Sequence, residues 1–541
     1  MKLAAIFKDG MVLQRNKQNR IWGTCEGSEV IKITFAGRTY ITKGLYDKES
    51  RETGIRKWHI DLMPLKEGGP HTMIVEGKGH IVIKDILIGD VWFAGGQSNM
   101  ELELQNSKDG LAVIEESDFN SIRFYNVPKI AVVDDELIKA EAKTEWKYAD
   151  SEKIKDVSAV AYYFARKLNR ELNVPIGIID CYWGGTSATC WAPKEEFRNI
   201  EGAHEYLKEW EDVISTKSDE TYKQEMDAYN DEYNAWCKRV DDLKKEDPDI
   251  NWEVINEKAG LCPWPQPMGG RSPFRPYGLY ESMVKRVIPY GIKGFIYYQA
   301  EEDWSRKECY DLLNKAVIDT WRRDFGIFDA EELPFIITQL PMYIAKGEKD
   351  ILTFTGLRDK QALLSRREEG VGLACLIDCG EFDNIHPLDK KTPGERLALQ
   401  ALGMVYKKTN EYKNMRINKA YMDGDTLRVS LMDTYGGIRV RSTDGKILTA
   451  NVKDEVVIDN NTEINNEEYK IYGFEITSDG ENFKKSDAVI DGKEVCIKIS
   501  DCNTPNMVRY GWTDFGVVNL YNNIGLPLEP DLIKVENARA F

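Results

Sequence analysis

Short β-prone runs, divided by glycine-rich turns, fill the first 85 residues of the chain. The runs are Ile31–Phe35, Trp58–Leu62, His71–Val75 and His80–Ile83, and one of the turns is Gly68-Gly69-Pro70. Strand-length runs bounded by glycine and proline are typical of antiparallel β structure. The pattern therefore predicts a small β-sandwich module over residues 1–85.

From Ile86 onward, continuous apolar runs alternate with helical stretches. The strand candidates are Val91–Ala94, Ile176–Cys181, Phe295–Tyr298, Phe335–Leu340 and Leu373–Ile377. The helix candidates are Val157–Leu172, Leu279–Val287, Tyr310–Phe325, Leu357–Arg367 and Pro393–Tyr406. Apolar strands separated by helices indicate a parallel sheet covered on both faces, so we expect an α/β domain over residues 86–408. Its last helix is expected to take Thr392 as its N-cap.

A highly charged segment, residues 195–258, interrupts this alternation. Its apolar side chains repeat at heptad spacing: Tyr222, Met226, Tyr229, Tyr233, Trp236, Val240 and Leu243. The stripe predicts a helical hairpin packed on the α/β core, although a lid or an oligomer contact would use the same pattern. After Thr409 short strands with Asp-Gly and Gly-Gly turns return, which predicts an all-β module over residues 409–541.

Composition limits the partners that this chain can have. The 541 residues include 73 Lys+Arg and 90 Asp+Glu, a net charge of −17, so nucleic acid and anionic membranes are disfavoured. The amino-terminal apolar stretch is too short for a signal peptide core and no run approaches a membrane span. We therefore expect a cytoplasmic protein, or a secreted one if a leader has been removed. The ten cysteines form no C-x-x-C pair, and no His/Asp/Glu cluster has metal-ligand spacing, so neither a metal nor a cofactor is expected.

A serine follows the first core strand directly, in the sequence Gly95-Gly96-Gln97-Ser98. The carboxyl ends of parallel strands are where open α/β sheets bind ligands. Glycines allow a tight turn there, and backbone N–H groups after the turn can face a developing oxyanion. Ser98 is therefore a candidate nucleophile, although a strand–Gly-Gly–Ser turn is as often purely structural.

Histidine is scarce, which narrows the choice of a general base for Ser98. The chain has five histidines, and only His204 and His386 lie in the α/β region. His204 belongs to the charged insertion and reads as a solvated residue. His386 follows the last core strand, so it can converge with Ser98, and Asp383 in the same loop can orient its imidazole. A surface Asp-His loop without function is the alternative.

Several ordered motifs resemble one known family. Gly96-Gln-Ser-Asn-Met100 with Asp383-x-x-His386-Pro387 is similar to the SGNH-hydrolase superfamily, and within it the chain resembles the sialate O-acetylesterase family. The remaining matches are Asp9–Arg15, Ile21-Trp-Gly23, Trp183-Gly-Gly-Thr186, Gly291–Gly294 with Tyr298-Gln299, Gly394–Leu399, Val508–Trp512, Asn519–Asn522 and Gly525–Pro527. The resemblance covers nearly the whole chain. It implies an SGNH-type three-layer α/β/α core with N- and C-terminal all-β, sandwich- or jelly-roll-like modules.

The resemblance also implies a serine esterase that removes O-acetyl groups from sugars. Ser98 would be the nucleophile, His386 the base and Asp383 the acid that orients it. The implied oxyanion hole comprises Ser98, Gly184 or Gly185, and the side-chain amide of Gln299. Asn99, Glu301 and Arg358 are candidate substrate-binding residues. The alternatives are a plain turn at Gly184-Gly185, a buried structural amide at Gln299, and surface ion pairing for Arg358, as for Arg271 and Arg275.

The expected partner is an acetylated mono- or oligosaccharide. Sialate is the family's namesake, acetylated xylan or xyloglucan is the alternative, and a carbohydrate-binding relative without turnover is the second class of function. A homodimer is also possible. The third motif departs from the family pattern Tyr-Gln-Gly-Glu-Ser-Asn, since it reads Tyr298-Gln-Ala-Glu-Glu-Asp303. We expect Glu302 and Asp303 to raise the negative potential near the substrate, which would favour a neutral sugar.

Overall fold

The computed structural model describes residues 1–150, 153–247, 250–329, 332–441, 455–458, 470–499 and 504–536. It is a mixed α/β structure with several sheets, so the predicted α/β class is confirmed. None of the helices in these ranges has the length and apolar character needed to cross a bilayer.

The amino-terminal strands form two groups. Lys2–Leu3, Asn19–Glu26 and Ile55–Leu62 make a three-stranded antiparallel sheet. Val12–Gln14, Val30–Phe35, Arg38–Lys43 and Gly68–Glu76 join the sheet that continues into the rest of the chain. A short helix, Lys48–Thr53, lies between Arg38–Lys43 and Ile55–Leu62. It begins with a capping box in which Asp47 is the N-cap.

A central sheet follows, and Ser98 lies at the carboxyl end of one of its middle strands. Its strand order is Trp146–Asp150, Asp118–Asn126, Ile176–Tyr182, His80–Gly96, Gly294–Tyr298, Phe335–Gln339 and Val371–Cys375. All neighbouring pairs are parallel except that of the edge strand Trp146–Asp150 with Asp118–Asn126. The strands Ile176–Tyr182, Gly294–Tyr298 and Phe335–Gln339 are buried throughout, as expected for strands covered on both faces.

One strand connects the amino-terminal strands to the central sheet. His80–Gly96 has 17 residues; its first half pairs antiparallel with Gly68–Glu76 and its second half pairs parallel with Ile176–Tyr182. The predicted boundary between residues 85 and 86 falls inside this strand. The strand that leads to Ser98 therefore begins among the amino-terminal strands.

Helices cover the central sheet and fill the connections. The α-helices outside the charged segment are Ser98–Glu101, Gly110–Glu115, Asp135–Lys143, Ala159–Leu172, Gly278–Ser282, Tyr310–Phe325, Thr353–Arg367 and Lys391–Met404. The last of these begins before the predicted cap Thr392. Lys390 is the N-cap, and the carboxylate of the preceding Asp389 accepts hydrogen bonds from the Thr392 backbone N–H at 3.0 Å and from the Thr392 hydroxyl at 2.6 Å.

The charged segment folds as helices Lys194–Phe197, His204–Thr216, Asp219–Glu246 and Trp252–Ala259. We call residues 195–258 the insertion and Asp219–Glu246, with 28 residues, the long helix. Tyr222, Trp236 and Val240 of the apolar stripe are buried, whereas Tyr233 is 38% exposed. The stripe is therefore used for packing, partly against the helix Trp252–Ala259.

Two carboxy-terminal sheets complete the described residues. The larger has the order Lys484–Lys485, Phe474–Thr477, Met507–Tyr510, Asp531–Glu536, Arg416–Asp423, Thr426–Met432, Glu494–Lys498 and Val489–Asp491. The smaller contains Glu455–Ile458, Ile438–Arg441 and Leu520–Asn522. Their apolar core includes Met342, Cys375 and Ile377 of the α/β region, so these sheets pack directly against it.

Candidate active site

Ser98 follows a turn in which glycine is required. Gly96 has φ +142°, and a Cβ atom on it would lie 2.1 Å from the Tyr298 carbonyl oxygen. That approach places two neighbouring strand ends together, and the Gln97 N–H donates to the same carbonyl at 3.0 Å. Ser98 then begins the short helix Ser98–Glu101, at the carboxyl edge of the central sheet.

Ser98 and His386 are in hydrogen-bond contact. The Ser98 Oγ lies 2.8 Å from His386 Nε2. Burial lowers the pKa of His386 to about 4, and the nearby Lys390 charge lowers it in the same direction. The imidazole is therefore neutral at pH 7 and has a lone pair available to accept the serine proton.

Asp383 lies in the same loop but its hydrogen bonds go elsewhere. Its carboxylate accepts from the Lys346 N–H at 2.9 Å and from Asn256 Nδ2, on the insertion, at 3.2 Å. Its backbone has φ +56°, a left-handed conformation that aspartate tolerates better than most residues. Within the described ranges, no carboxylate is hydrogen-bonded to the His386 ring. Glu381, another acid of the loop, accepts from Asn384 Nδ2 and the Leu388 N–H.

Asn99 links the serine turn to the histidine loop. Its Nδ2 donates to Glu301 Oε1 at 2.5 Å and to the Ile385 carbonyl at 2.9 Å, and its Oδ1 accepts from Lys390 Nζ at 2.5 Å. Asn99 is fully buried, Lys390 is 1% exposed and Glu301 is 4% exposed. We call Asn99, Glu301 and Lys390 the buried triad. It fixes Ser98 and His386 relative to each other through the residues next to them.

Burial changes the ionisation of this triad. Desolvation lowers the pKa of Lys390 to about 8, although the nearby carboxylates oppose that shift. Desolvation also raises the pKa of Glu301, against the hydrogen bond from Asn99. Asn99 and Glu301 were expected to contact substrate. The structure instead commits their polar atoms to protein partners beneath the serine and histidine.

The candidate oxyanion donors differ in availability. In the described part of the chain, the backbone N–H groups of Ser98 and Gly185 have no hydrogen-bond acceptor. The Gly184 N–H donates to Glu101 Oε2 at 2.6 Å, and Glu101 also pairs with Lys129. A Cβ on Gly184 would lie 3.2 Å from the Ser98 Cβ, so this turn borders Ser98.

Gln299 is tied into the protein by both ends of its amide. Its Nε2 donates to the Thr186 carbonyl at 3.1 Å and to Asp303 Oδ2 at 2.7 Å. Its Oε1 accepts from the Tyr310 hydroxyl at 2.9 Å. An oxyanion role for Gln299 would require the side chain to give up one of these partners.

The altered third motif does not place two free charges beside the nucleophile. Asp303 is fully buried and accepts from Ser187 Oγ at 2.6 Å and Arg306 Nε at 3.1 Å, so its charge is compensated. Burial raises the pKa of Glu302 to about 8, which keeps it largely protonated at neutral pH. The expected increase in negative potential is therefore corrected, because one carboxylate is paired and the other is mostly neutral.

All three arginines have contacts within the protein. Arg358 is fully buried and donates to the Pro341 carbonyl at 3.2 Å, the Thr355 hydroxyl at 3.0 Å and the Thr513 carbonyl at 2.5 Å. It therefore links the α/β region to the carboxy-terminal part and does not reach solvent. Arg271 forms an ion pair with Asp134 at 2.5 Å. Arg275 is packed against Gly278.

Sequence reasoning missed three residues of the site: Lys390, Glu101 and Trp264. Lys390 carried no signal, because a lysine four residues after a histidine in a polar loop is unremarkable. Glu101 lies three residues after Ser98, a spacing that puts both side chains on the same side of a helix. Trp264 stands between prolines in Pro263-Trp264-Pro265, and a large aromatic in a proline-rich loop is a usable signal.

The described residues also contain no group of three or more His, Cys, Asp or Glu arranged to hold a metal ion.

Comparison with known proteins gives relatives over most of the chain. The chain is 24% identical over 440 residues to mouse sialate O-acetylesterase, covering 76% of this chain and 74% of that protein. The human protein of the same name is 24% identical over 438 residues, with 76% and 72% coverage. The crystal structure of a carbohydrate acetylesterase from Xanthomonas citri superposes with a TM-score of 0.71 at 25% identity, covering 98% of this chain and 99% of that one. No family model matches the chain. The resemblance predicted from the motifs is confirmed.

Replacing Asn99 by leucine is expected to lower the free energy of unfolding by about 3–5 kcal/mol, because Glu301, Lys390 and the Ile385 carbonyl lose a buried partner. Urea unfolding followed by circular dichroism measures this change. Asn106→Leu is the matched control, since Asn106 is exposed and close in sequence, and should change stability by about 0.5 kcal/mol or less. Equal midpoints for the two variants would show that the buried triad contributes nothing to stability.

Proposed function

We propose that this protein, a relative of the sialate O-acetylesterases, is a serine esterase that hydrolyses O-acetyl groups from carbohydrates without a metal or cofactor. The observation that carries the proposal is the 2.8 Å contact between Ser98 Oγ and a neutral His386 at the carboxyl edge of a parallel sheet. A protein that only binds sugar has no use for this pair. The relatives named above supply the acetyl ester as the bond to be broken.

The reaction proceeds in two halves. Ser98 Oγ attacks the acetyl carbonyl while His386 Nε2 takes the hydroxyl proton. The tetrahedral intermediate collapses, the C–O bond to the sugar breaks, and His386 returns the proton to the sugar oxygen. Water then attacks the acetyl-serine with His386 as base, and collapse of the second intermediate releases acetate and restores the Ser98 hydroxyl.

Backbone N–H groups stabilise the oxyanion in this proposal. Those of Ser98 and Gly185 are the first choice, because they carry no acceptor in the described structure. Gly184 contributes if Glu101 moves away, and Gln299 only after it releases Thr186 or Asp303. Preorganised donors at this position typically contribute about 10²–10³ in kcat each.

Asp383 completes the proposed catalytic triad. It lies three residues before His386, is 6% exposed, and carries a charge that would stabilise the imidazolium formed during attack. Its present partners, Lys346 and Asn256, hold it in the loop. A direct bond to His386 would form on substrate binding, since catalytic hydrogen bonds often tighten only in the complex.

We place this chemistry in an SGNH-type three-layer α/β/α domain, residues 86–408, with all-β modules over residues 1–85 and 409–541. The substrate is an acetylated mono- or oligosaccharide. Because Asp303 is paired and Glu302 is largely protonated, the site repels an anionic sugar less than the motif suggested. O-acetylated sialic acid and acetylated xylan or xyloglucan oligomers therefore belong in the same substrate screen.

Ser98→Ala is expected to abolish acetate release, because no other group of the site replaces the serine hydroxyl. Hydrolysis of p-nitrophenyl acetate and of the acetylated saccharides measures this loss, which should be about 10³-fold or more. Ser282→Ala is the matched control and should retain activity, since Ser282 is buried and its hydroxyl has no hydrogen-bond partner among the described residues. Equal rates for wild type and Ser98→Ala would refute the esterase, and a rate lost in excess EDTA would refute metal independence.

Asp383→Asn tests the third member of the triad. The amide can still accept from the Lys346 N–H, so the fold should be retained while kcat falls by about 10²-fold or more. Circular dichroism and kcat for p-nitrophenyl acetate are the measurements. Glu381→Gln is the control in the same loop, and a larger loss there would identify Glu381 as the orienting acid.

The pH profile follows from the lowered pKa of His386. A base with a pKa of about 4 remains neutral well below pH 6.5, so kcat/KM should stay flat from pH 7 to 5 and fall only near pH 4. Lys390→Met removes a like charge and should move this acid limb to higher pH. Acetate release measured from pH 3.5 to 8 gives the midpoint, and a midpoint at pH 6.5 in the wild type would contradict the buried, neutral imidazole.

A further inference from the structure

A partly exposed tryptophan lies beside the nucleophile. Trp264 is 47% exposed and follows the insertion, in a segment of residues 260–277 that we call the Trp264 loop. A Cβ atom on Gly185 would lie 2.2 Å from Trp264 Cη2 and 2.9 Å from Cζ2, so the tip of the indole rests against this glycine. Gly184, the preceding residue, borders Ser98. The indole is therefore only two glycines away from the reacting hydroxyl.

The absence of a side chain at Gly185 makes this approach possible. Gly185 has φ +71°, a conformation that glycine adopts without strain, and any larger residue would displace the indole. The same glycine carries one of the two N–H groups proposed for the oxyanion. The indole and an N–H group proposed for the oxyanion are thus found at the same residue.

The long helix holds the Trp264 loop in place. Tyr229 donates its hydroxyl to the Pro263 carbonyl at 2.9 Å, and Trp236 Nε1 donates to the Gly260 carbonyl at 2.7 Å. At the other end of the loop, Lys217 Nζ, just before the long helix, donates to the Met268 carbonyl at 2.8 Å. Phe274 meets the indole edge to face, with ring centroids 5.1 Å apart. The aromatic stripe of the insertion therefore supports the segment that carries Trp264.

An exposed indole this close to Ser98 indicates a ligand-binding surface. Leaving a large apolar ring in water forgoes free energy that burial would supply, and the many supports above keep it from folding away. Ligand sites combine aromatic walls with a few placed polar groups, as here with the Ser98 and Gly185 N–H groups. The electron-rich face of an indole attracts the polarised C–H groups on one face of a pyranose ring.

We propose that Trp264 is the platform on which the pyranose ring carrying the acetyl group packs, and that the insertion serves to position it. This inference rests on the proposed esterase function and adds to it a residue for substrate specificity. The ligand is a saccharide with an apolar ring face. Trp264 therefore contributes to the binding of sugar esters and not to the hydrolysis of the acetyl ester bond itself.

The test compares sugar acetates with an acetate ester that has no ring. Trp264→Ala should lower kcat/KM about tenfold for the acetylated saccharide that the wild type hydrolyses fastest, and should change kcat/KM for ethyl acetate by less than twofold. Titration of released acid at constant pH measures both. Ethyl acetate replaces p-nitrophenyl acetate here, because a nitrophenyl ring could itself stack on an indole.

Two further variants separate stacking from loop structure. Trp264→Phe keeps an aromatic face and should retain most of the saccharide activity, and Leu261→Ala, a 75% exposed residue of the same loop, should leave both activities unchanged. Equal losses on both esters in Trp264→Ala, or no loss on either, would overturn the platform. Failure of the esterase proposal is distinguishable, because wild type and Ser98→Ala would then release acid at the same rate.

Discussion

A neutral amide between two buried ionisable groups is the interaction on which the site depends. Asn99 accepts from Lys390 and donates to Glu301, so both charged groups are satisfied without touching each other. Unpartnered charges at this depth would cost several kcal/mol, and an amide that uses both ends is one of few groups able to serve a cation and an anion together. The third hydrogen bond of Asn99 goes to the Ile385 carbonyl. The side chain that satisfies Lys390 and Glu301 therefore also holds the loop that carries His386.

The consequence reaches Ser98 and His386. Ser98 precedes Asn99 and His386 follows Ile385, so two residues far apart in sequence are positioned by one side chain between them. The ammonium of Lys390 lies close enough to His386 to disfavour a second positive charge there. The surroundings of His386 thus favour a neutral imidazole beside the Ser98 hydroxyl.

The fold could be predicted from sequence where one local signal was strong. The apolar runs around Val91–Ala94 and Phe295–Tyr298 predicted two central strands, and the position of Ser98 and His386 after core strands predicted that these two residues meet. Roles set by long-range packing could not be read in this way. Arg358 looked like a surface cation but is buried between two parts of the chain, and Asp303 looked like a free charge but is paired with Arg306. Trp264 gains its position from the long helix, which no local pattern reveals.

The strand His80–Gly96 gives the enzyme an unusual kind of indivisibility. Its first half pairs with Gly68–Glu76 and its second half with Ile176–Tyr182 and Gly294–Tyr298, so a cut between the halves would break one strand that both parts of the chain share. Recombination that exchanges the amino-terminal module, in evolution or in the laboratory, must therefore carry the strand leading to Ser98 with it. The amino-terminal strands and the central strands must therefore be exchanged together, because they share the strand His80–Gly96.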